Sequence, residues 1–274
     1  MDNKLIIFTD LDGSLLDSNY SFEKAKPALK LINKRDIPLV ICSSKTMAEI
    51  EYLRGRLKNY HPFISENGGG VFIPDNYFIH QAGTRYAGTL KKKEYQIIRL
   101  GSEYNDLRTS FVKMRSMGFD IKGFADMSVK EVSQLTGLKM SDAKRAKQRD
   151  FDEPFTFRGS PYGLRKLKHA IKSEGLTHTI GHHHHLMGES DKGRAVDILS
   201  RQFRRQYKNI ITVALGDSPN DIEMFDKVDH AVIIQKPDGS YDKRIKMKKL
   251  IKADGPGPEG WNRAVLKILD NYNK

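Results

Sequence analysis

One cysteine, Cys42, stands in a chain of 274 residues. A lone thiol permits no internal disulfide, which excludes a disulfide-stapled secreted scaffold and leads to the expectation of a cytoplasmic protein. Long apolar runs are missing too. No stretch is long enough to span a bilayer, and the first apolar segment, Leu5 to Phe8, is strand-sized and ends in an acidic turn without a signal-peptide pattern. A membrane is therefore not among the expected partners. Internal repeats and low-complexity tracts are also lacking, apart from the histidine run His182–His185.

What the chain does have is charge. Charged residues make up 30% and hydrophobic residues 38%, so a core forms under a heavily charged surface, and the length suggests two domains. The formal net charge of +13 favours anionic partners, with dense clusters at Lys91–Lys93 and Lys243–Lys252. No nucleic-acid motif accompanies the charge, so a solvated basic surface is the preferred reading and nucleic acid is not the expected partner. Nothing in the composition sets the oligomeric state.

The first section alternates strand and helix. Lys4–Thr9 reads as a buried strand, Ala25–Lys34 as a helix, Ile37–Cys42 as a second strand and Pro62–Ser65 as a third. Thr46 followed by Glu49 forms a capping box for the helix between the last two. Gly68–Gly70 then breaks the pattern before Val71–Ile73. From about Gly83 to His185 the rhythm changes to several helices with short β segments, among them Tyr104–Met117, a segment capped by Ser128, Phe155–Phe157 and Thr177–Gly181. The alternation returns with helix Lys192–Tyr207, strand Ile210–Leu215, helix Asp221–Lys227, strand Ala231–Ile234 and, after a loop at Gly255–Gly260, helix Trp261–Tyr272. The expected fold is α/β: a Rossmann-like parallel-sheet core made of residues 1–82 and 187–274, interrupted by an inserted α/β cap at 83–186.

In open α/β sheets ligands collect outside the carboxyl ends of the strands, so the polar residues that follow each strand carry the function. Asp10-Leu11-Asp12-Gly13-Ser14 follows the first strand, Ser43-Ser44-Lys45-Thr46 the second, and Gly216-Asp217-Ser218-Pro219-Asn220-Asp221 the late one; Lys192 begins the helix leading into it. Carboxylates suit a hard cation such as Mg²⁺. One carboxylate can act as a nucleophile, and a second, two residues on, as acid and then base. Hydroxyl and ammonium groups can hold phosphate oxygens. A lone DxD would prove little, because acidic turns are common; four converging segments favour chemistry. A calcium-binding EF-hand is a poor alternative, since Gly13 is the fourth residue from Asp10 and that loop needs glycine sixth.

In these four segments the chain resembles the haloacid dehalogenase superfamily of phosphohydrolases, with Ser14 where that family usually has threonine or valine. More narrowly it resembles the mannosyl-3-phosphoglycerate phosphatases, in Ser43-Ser44-Lys45-Thr46, Glu66-Asn67-Gly68-Gly69, Asp152-Glu153-Pro154-Phe155, His185-Leu186-Met187-Gly188, Asp191-Lys192-Gly193 and Gly257-Pro258-Glu259-Gly260-Trp261-Asn262. His182–His184 departs from that pattern. The resemblance implies a magnesium-dependent phosphatase acting on a small anionic sugar phosphate, with Asp10 as nucleophile and Asp12 as acid and base. It implies Mg²⁺ at the carboxylates of Asp10 and Asp217 and the backbone carbonyl of Asp12, with Asp221 supporting the metal's waters. Ser43, Lys192 and Asn220 would hold the phosphoryl group, and Ser44, Lys45, Asn67, Gly68, Arg149, Glu153 and His185 the rest of the substrate.

Plainer readings stand beside several of these. Thr46 caps its helix or touches substrate, and Lys45 lies open between substrate contact and packing. Glycine in Glu66-Asn67-Gly68-Gly69 also serves a turn. Arg149 and Glu153 close over the substrate or form a surface ion pair. The histidines are a metal site or cap-lining residues, and strand alternation lets only every second one share a face. Trp261 reads as a packing anchor between the final helix and the sheet. Alternative activities are phosphatase action on another sugar phosphate, a sugar phosphomutase, and a basic nucleic-acid-binding protein.

Overall fold

The computed structural model describes residues 3–78, 89–92, 94–181 and 183–272. The expected cap boundary at Gly83, the end of the lysine cluster at Lys93 and the first residue of the histidine run, His182, lie outside the described residues. Two sheets organise the rest. The large one has the strand order β13-β12-β11-β1-β2-β3-β4-β6-β5, and the small one β7-β8-β10-β9.

The core begins β1 (Lys4–Thr9), α1 (Lys26–Lys34), β2 (Leu39–Cys42), α2 (Met47–Leu57), β3 (Phe63–Ser65), β4 (Gly70–Pro74), β5 (Thr89–Lys92) and β6 (Tyr95–Arg99). The inserted layer holds α3 (Tyr104–Ser116), β7 (Ile121–Gly123), α4 (Val129–Thr136), α5 (Met140–Ala146), β8 (Asp152–Phe157), α6 (Pro161–Ser173), β9 (Thr177–Ile180) and β10 (His184–Met187). The chain then returns to the core as α7 (Lys192–Tyr207), β11 (Ile210–Gly216), α8 (Ile222–Phe225), β12 (His230–Gln235), β13 (Leu250–Pro256) and α9 (Gly257–Asn271).

The continuous apolar runs are explained by burial on both faces. Leu5 and Ile7 of β1 point into one hydrophobic layer with Leu39, Ile41, Val213, Leu215 and Trp261. Ile6 and Phe8 point into the other, with Val40, Cys42, Ala195, Leu199 and Phe203. Alternate residues of a strand face opposite sides, so a strand between two helical layers must be apolar throughout. β1 pairs in parallel with both β2 and β11. Chain order reverses there, which is where α/β sheets open a crevice at their carboxyl ends.

Two features differ from the sequence reading. The sheet is not parallel throughout: β4, β6 and β5 continue it antiparallel beyond β3. The strands at 89–99, assigned by sequence to the cap, therefore hydrogen-bond into the core sheet, and the elements of the second layer run from Tyr104 to Met187. β13, an edge strand, replaces part of what reads as a basic stretch and loop, because lysines on a sheet edge hide its β character. No described helix is long and apolar enough to cross a membrane.

Trp261 is fully buried, and its Nε1 donates to Thr9 Oγ1 at 2.9 Å while Thr9 Oγ1 donates to the Asp10 carbonyl at 2.7 Å. The packing-anchor reading thus gains a polar link from α9 to the end of β1. Thr9→Val keeps the shape but strands the indole N–H, and should lower unfolding free energy by about 1–3 kcal/mol. Urea unfolding followed by the emission of Trp261, the sole tryptophan, checks this; unchanged stability would show that the link contributes nothing.

Candidate active site

The ends of β1 and β11 deliver two acidic loops side by side, and the start of α7 delivers a cation between them. Lys192 Nζ donates to Asp10 Oδ1 and to Asp221 Oδ1, each at 2.7 Å, and the lysine is 1% exposed. Asp221 uses its other oxygen to accept from the backbone N–H of Asp217 at 3.0 Å and of Ser218 at 3.1 Å. Burial alone would pull the Lys192 ammonium down, but Asp10 and Asp221 hold it above the usual lysine range. A cation in the first turn of α7 opposes the helix dipole, a local mismatch that the neighbouring carboxylates offset.

Asp10, Asp217 and Asp221 bring one carboxylate oxygen each within 4.8 Å of one another. Three carboxylates against one ammonium leave about two negative charges, which a divalent cation would balance. Hard oxygens in this number suit Mg²⁺ or a similar ion. The loops approach so closely that a Cβ on Gly13, at φ +77°, would sit 2.6 Å from Asp217 Oδ2. Glycine is required there by both conformation and space. The residues present fit a divalent metal.

Asp12 stands apart from this cluster. Its Oδ2 receives Lys45 Nζ at 2.8 Å, and Lys45 also lies 3.8 Å from Glu49 Oε1. Asp12, Gly13, Ser44, Lys45 and Asp217 line a cavity of about 600 Å³, whose opposite wall is cap: Phe124, Leu138, Arg149, Pro154, His183 and His185. Thr46 caps α2 by the expected box, accepting from Glu49 N at 3.2 Å, and it also donates to the Arg145 carbonyl at 3.1 Å.

The cap side is organised by two acids. Glu66, fully buried, accepts from the backbone N–H groups of Asp150, Phe151 and Asp152 at 2.8–3.1 Å. Asp152 takes Arg149 Nη1 at 2.9 Å, His185 Nδ1 at 2.9 Å and Asn67 Nδ2 at 3.3 Å. Burial would raise the Asp152 carboxyl, yet Arg149 and His185 hold it below the usual carboxylate range. Arg149 Nη1 also reaches the Ser44 carbonyl at 2.8 Å, and Asn220 Nδ2 donates to Asn67 Oδ1 at 3.1 Å. Core loops and cap wall therefore share one hydrogen-bonded network.

The residues singled out by sequence divide accordingly. Asp10, Asp217, Asp221 and Lys192 meet at one point, with Asp12, Ser44 and Lys45 on the cavity wall. Ser43 is buried just beneath, its Oγ accepting from Lys45 N at 3.3 Å. Arg149 and His185 face the cavity. Asn67 and Asn220 border a separate cleft beside Lys192. Gly68 and Glu153 stand elsewhere. A Cβ on Gly68 would meet the Asp191 carbonyl at 2.1 Å, so this glycine serves a close backbone approach at φ +93°. Glu153 bonds Tyr104, the Ala125 N–H at 3.0 Å and, at 3.5 Å, Arg108, on the strand face opposite Asp152. Arg149 and Glu153 are both buried, so neither belongs to a surface ion pair. Alternation also sorts the histidines: His183 and His185 line the cavity, whereas His184 stacks on Phe155 and meets His178 Nε2 at 2.8 Å. Sequence reasoning missed Asp152 as the hub, although two adjacent acids on a strand must part, and only one can join Arg149. It also missed Tyr20 and Lys236, which line the cavity from loops without a pattern.

Among known proteins, residues 7–240 match the family described as haloacid dehalogenase-like hydrolase. The chain is 41% identical over 279 residues to the glucosyl-3-phosphoglycerate/mannosyl-3-phosphoglycerate phosphatase of Methanococcoides burtonii, covering 98% of this chain and 99% of that one. It is 40% identical over 274 residues to the phosphatase of the same description from Persephonella marina, with 98% and 99% covered. A crystal structure of a Thermoplasma acidophilum protein superposes with a TM-score of 0.67 at 18% identity, covering 100% of this chain and 99% of that one, and so shares the fold.

The charge imbalance makes the metal-free site sensitive to pH. Burial, more than any neighbour, pushes Asp10 up to about 7 and Asp217 up to about 8, from an ordinary 3.8. Carboxyls raised in the folded state keep protons that the unfolded chain releases. Their stabilising contribution is present at low pH and is lost as pH rises through the folded values. The thermal midpoint of chelator-treated protein should therefore fall between about pH 5 and pH 8.5, and Mg²⁺ should restore more of it at the alkaline end. Asp217→Asn should flatten both responses. Melting curves across that range check this, and a metal-free midpoint that rises with pH would contradict it.

Proposed function

This chain belongs to the haloacid dehalogenase-like hydrolase family, and we propose that it is a phosphatase that releases the phosphate of mannosyl-3-phosphoglycerate, or of the matching glucosyl compound, by way of a phosphoryl group carried on Asp10. The observation that carries the reaction class is the fork of Lys192 between Asp10 and Asp221, beneath a cavity with Asp12 and Asp217 on its wall. The fork engages Asp10 Oδ1, which leaves Oδ2 as the oxygen to meet phosphorus.

In the first step Asp10 forms a bond to phosphorus as the bond from phosphorus to the glycerate C3 oxygen breaks, and Asp12 gives its proton to the departing alkoxide. In the second step Asp12 takes a proton from water, the water oxygen bonds to phosphorus, and the bond to Asp10 breaks to release phosphate. Lys192 holds the nucleophile in one orientation throughout, and Ser43, Lys192 and Asn220 would hold the phosphoryl oxygens. Asp10, Asp217 and the Asp12 carbonyl would hold Mg²⁺ with the support of Asp221; bound there, the ion supplies positive charge to the phosphoryl oxygens.

The substrate reading rests on the relatives and on the cap wall. Arg149 and His185, both fixed by Asp152, offer cationic and hydrogen-bonding groups across the cavity from Asp12, suited to a carboxylate at the far end of a phosphorylated glycerate. Glu153, turned away to Tyr104 and Arg108, supports the cap and does not read substrate.

Asp10→Asn should abolish turnover while the thermal midpoint stays within a few degrees, and Asp12→Asn should lose about 10²–10⁴-fold. Phosphate release by freshly purified variants checks both, and near-normal turnover by Asp10→Asn would refute the mechanism. For selectivity, Arg149→Lys keeps the charge but loses the fork geometry. It should lower kcat/KM at least about tenfold for mannosyl-3-phosphoglycerate and change p-nitrophenyl phosphate little, because only the larger substrate offers the cap binding energy to align phosphorus. Equal losses on both substrates would remove Arg149 from recognition.

A further inference from the structure

We infer that Tyr20 is a positioning residue that couples docking of the cap to the acid–base function of Asp12. The inference rests on the phosphatase reading above and adds a residue to which no motif points. Tyr20 sits in the loop between β1 and α1 with φ 56°, a left-handed conformation that a bulky residue seldom adopts. The loop is built to hold it there. Asp17 Oδ1 accepts from Asn19 N at 2.8 Å and Ser21 N at 3.0 Å, the Asp17 carbonyl accepts from Tyr20 N at 2.9 Å, and Asp17 N donates to the Ser21 carbonyl at 3.0 Å. A strained residue fixed by so many bonds is a constraint of the kind that gathers at functional sites.

The ring makes three connections at once. It packs against the core layer that contains Leu11, Leu15 and Leu16. It also packs against the small cap cluster of Phe124, Met127, Val132, Leu138, Ala143 and Ala146. Its face receives the Lys45 ammonium 4.8 Å from the ring centre, and that ammonium is the one bonded to Asp12 Oδ2 at 2.8 Å. A cation over an aromatic face is attracted to it, more strongly where water is excluded. Tyr20, together with Ser18, Lys45, Glu49 and Leu138, also lines both the catalytic cavity and a second cavity of about 730 Å³ bordered by Tyr52, Arg56 and Lys139.

Those connections have a mechanical consequence. With the cap docked, the ring is clamped between the two hydrophobic groups, and Lys45 is held between the ring face and Asp12. Without the ring, Lys45 loses the face it rests on and is free to move, and Asp12 is no longer held in one orientation. Tyr20 is linked to Asp12 through Lys45, so its loss acts through Asp12. The loss should appear where Asp12 must donate a proton and be small where the leaving group departs unaided.

The test compares kcat/KM of Tyr20→Ala, Tyr20→Phe and the unaltered enzyme on benzyl phosphate and p-nitrophenyl phosphate. The two esters are alike in size, but benzyl alkoxide needs a proton on departure and p-nitrophenolate does not. Tyr20→Ala should lose about tenfold or more on benzyl phosphate, part of the 10²–10⁴ that a general acid supplies, and less than threefold on p-nitrophenyl phosphate. Tyr20→Phe, which keeps the ring over Lys45, should retain most activity on both. Equal losses on the two esters, or a Tyr20→Phe as impaired as Tyr20→Ala, would overturn the assignment. If the unaltered enzyme releases phosphate from both esters, such a result leaves the phosphatase reading standing; if it releases phosphate from neither of them nor from mannosyl-3-phosphoglycerate, the phosphatase reading falls and this assignment with it.

Discussion

A fully buried ammonium, Lys192, lies between two carboxylates, and most of the site depends on it. Breaking a buried ion pair by removing one partner typically costs about 3–5 kcal/mol, because a charge is left without water or partner. Here the loss would leave Asp10 and Asp221 facing each other with Asp217 alongside. The same cation fixes which Asp10 oxygen is engaged and sets the charge that a metal must balance. It can do so because β1 and β11 are parallel neighbours whose carboxyl ends stop level, Thr9 beside Leu215, and because α7 begins beside that edge.

The cap is joined to this centre by hydrogen bonds through buried acids. Glu66 grips the backbone of residues 150–152, and Asp152 hands that grip on to Arg149, His185 and Asn67, while Asn220 ties Asn67 to the metal-side loop. Burial, with Asp152 adding to it, pushes Glu66 up to about 8. These bonds run directly from the cap wall to the Ser43–Ser44 loop and to Asn67.

Much of this was legible in the chain because the informative residues sit where regular structure ends. The apolar runs at Leu5–Phe8 and Ile210–Leu215 announce strands buried on both faces, and the acids directly after them have no role in packing. Helix Lys192–Tyr207 was legible to the residue, and so was the capping box at Thr46. The strands at 89–99 were not, since a segment with polar residues such as Lys91, Lys92 and Gln96 carries no buried-strand signature until β4 offers it an edge. Nor were the partners of Glu153 and Asp152, which depend on strand register, or the place of Tyr20, set by a turn whose left-handed residue is not a glycine. The net positive charge is not concentrated as free cations at the site: Lys45, Lys192, Arg149 and Lys236 are each engaged with a named carboxylate.

The claim at the centre is that Asp10, held by Lys192, carries the phosphoryl group between the two steps. The direct measurement is acid quenching of the enzyme within the first turnover with mannosyl-3-phosphoglycerate, reduction with borohydride, and peptide mass spectrometry. The account predicts that the residue at position 10, and no other, is converted to homoserine, the product of a reduced acyl phosphate. Rapid phosphate release with an unmodified Asp10, or with the label on another residue, would contradict it.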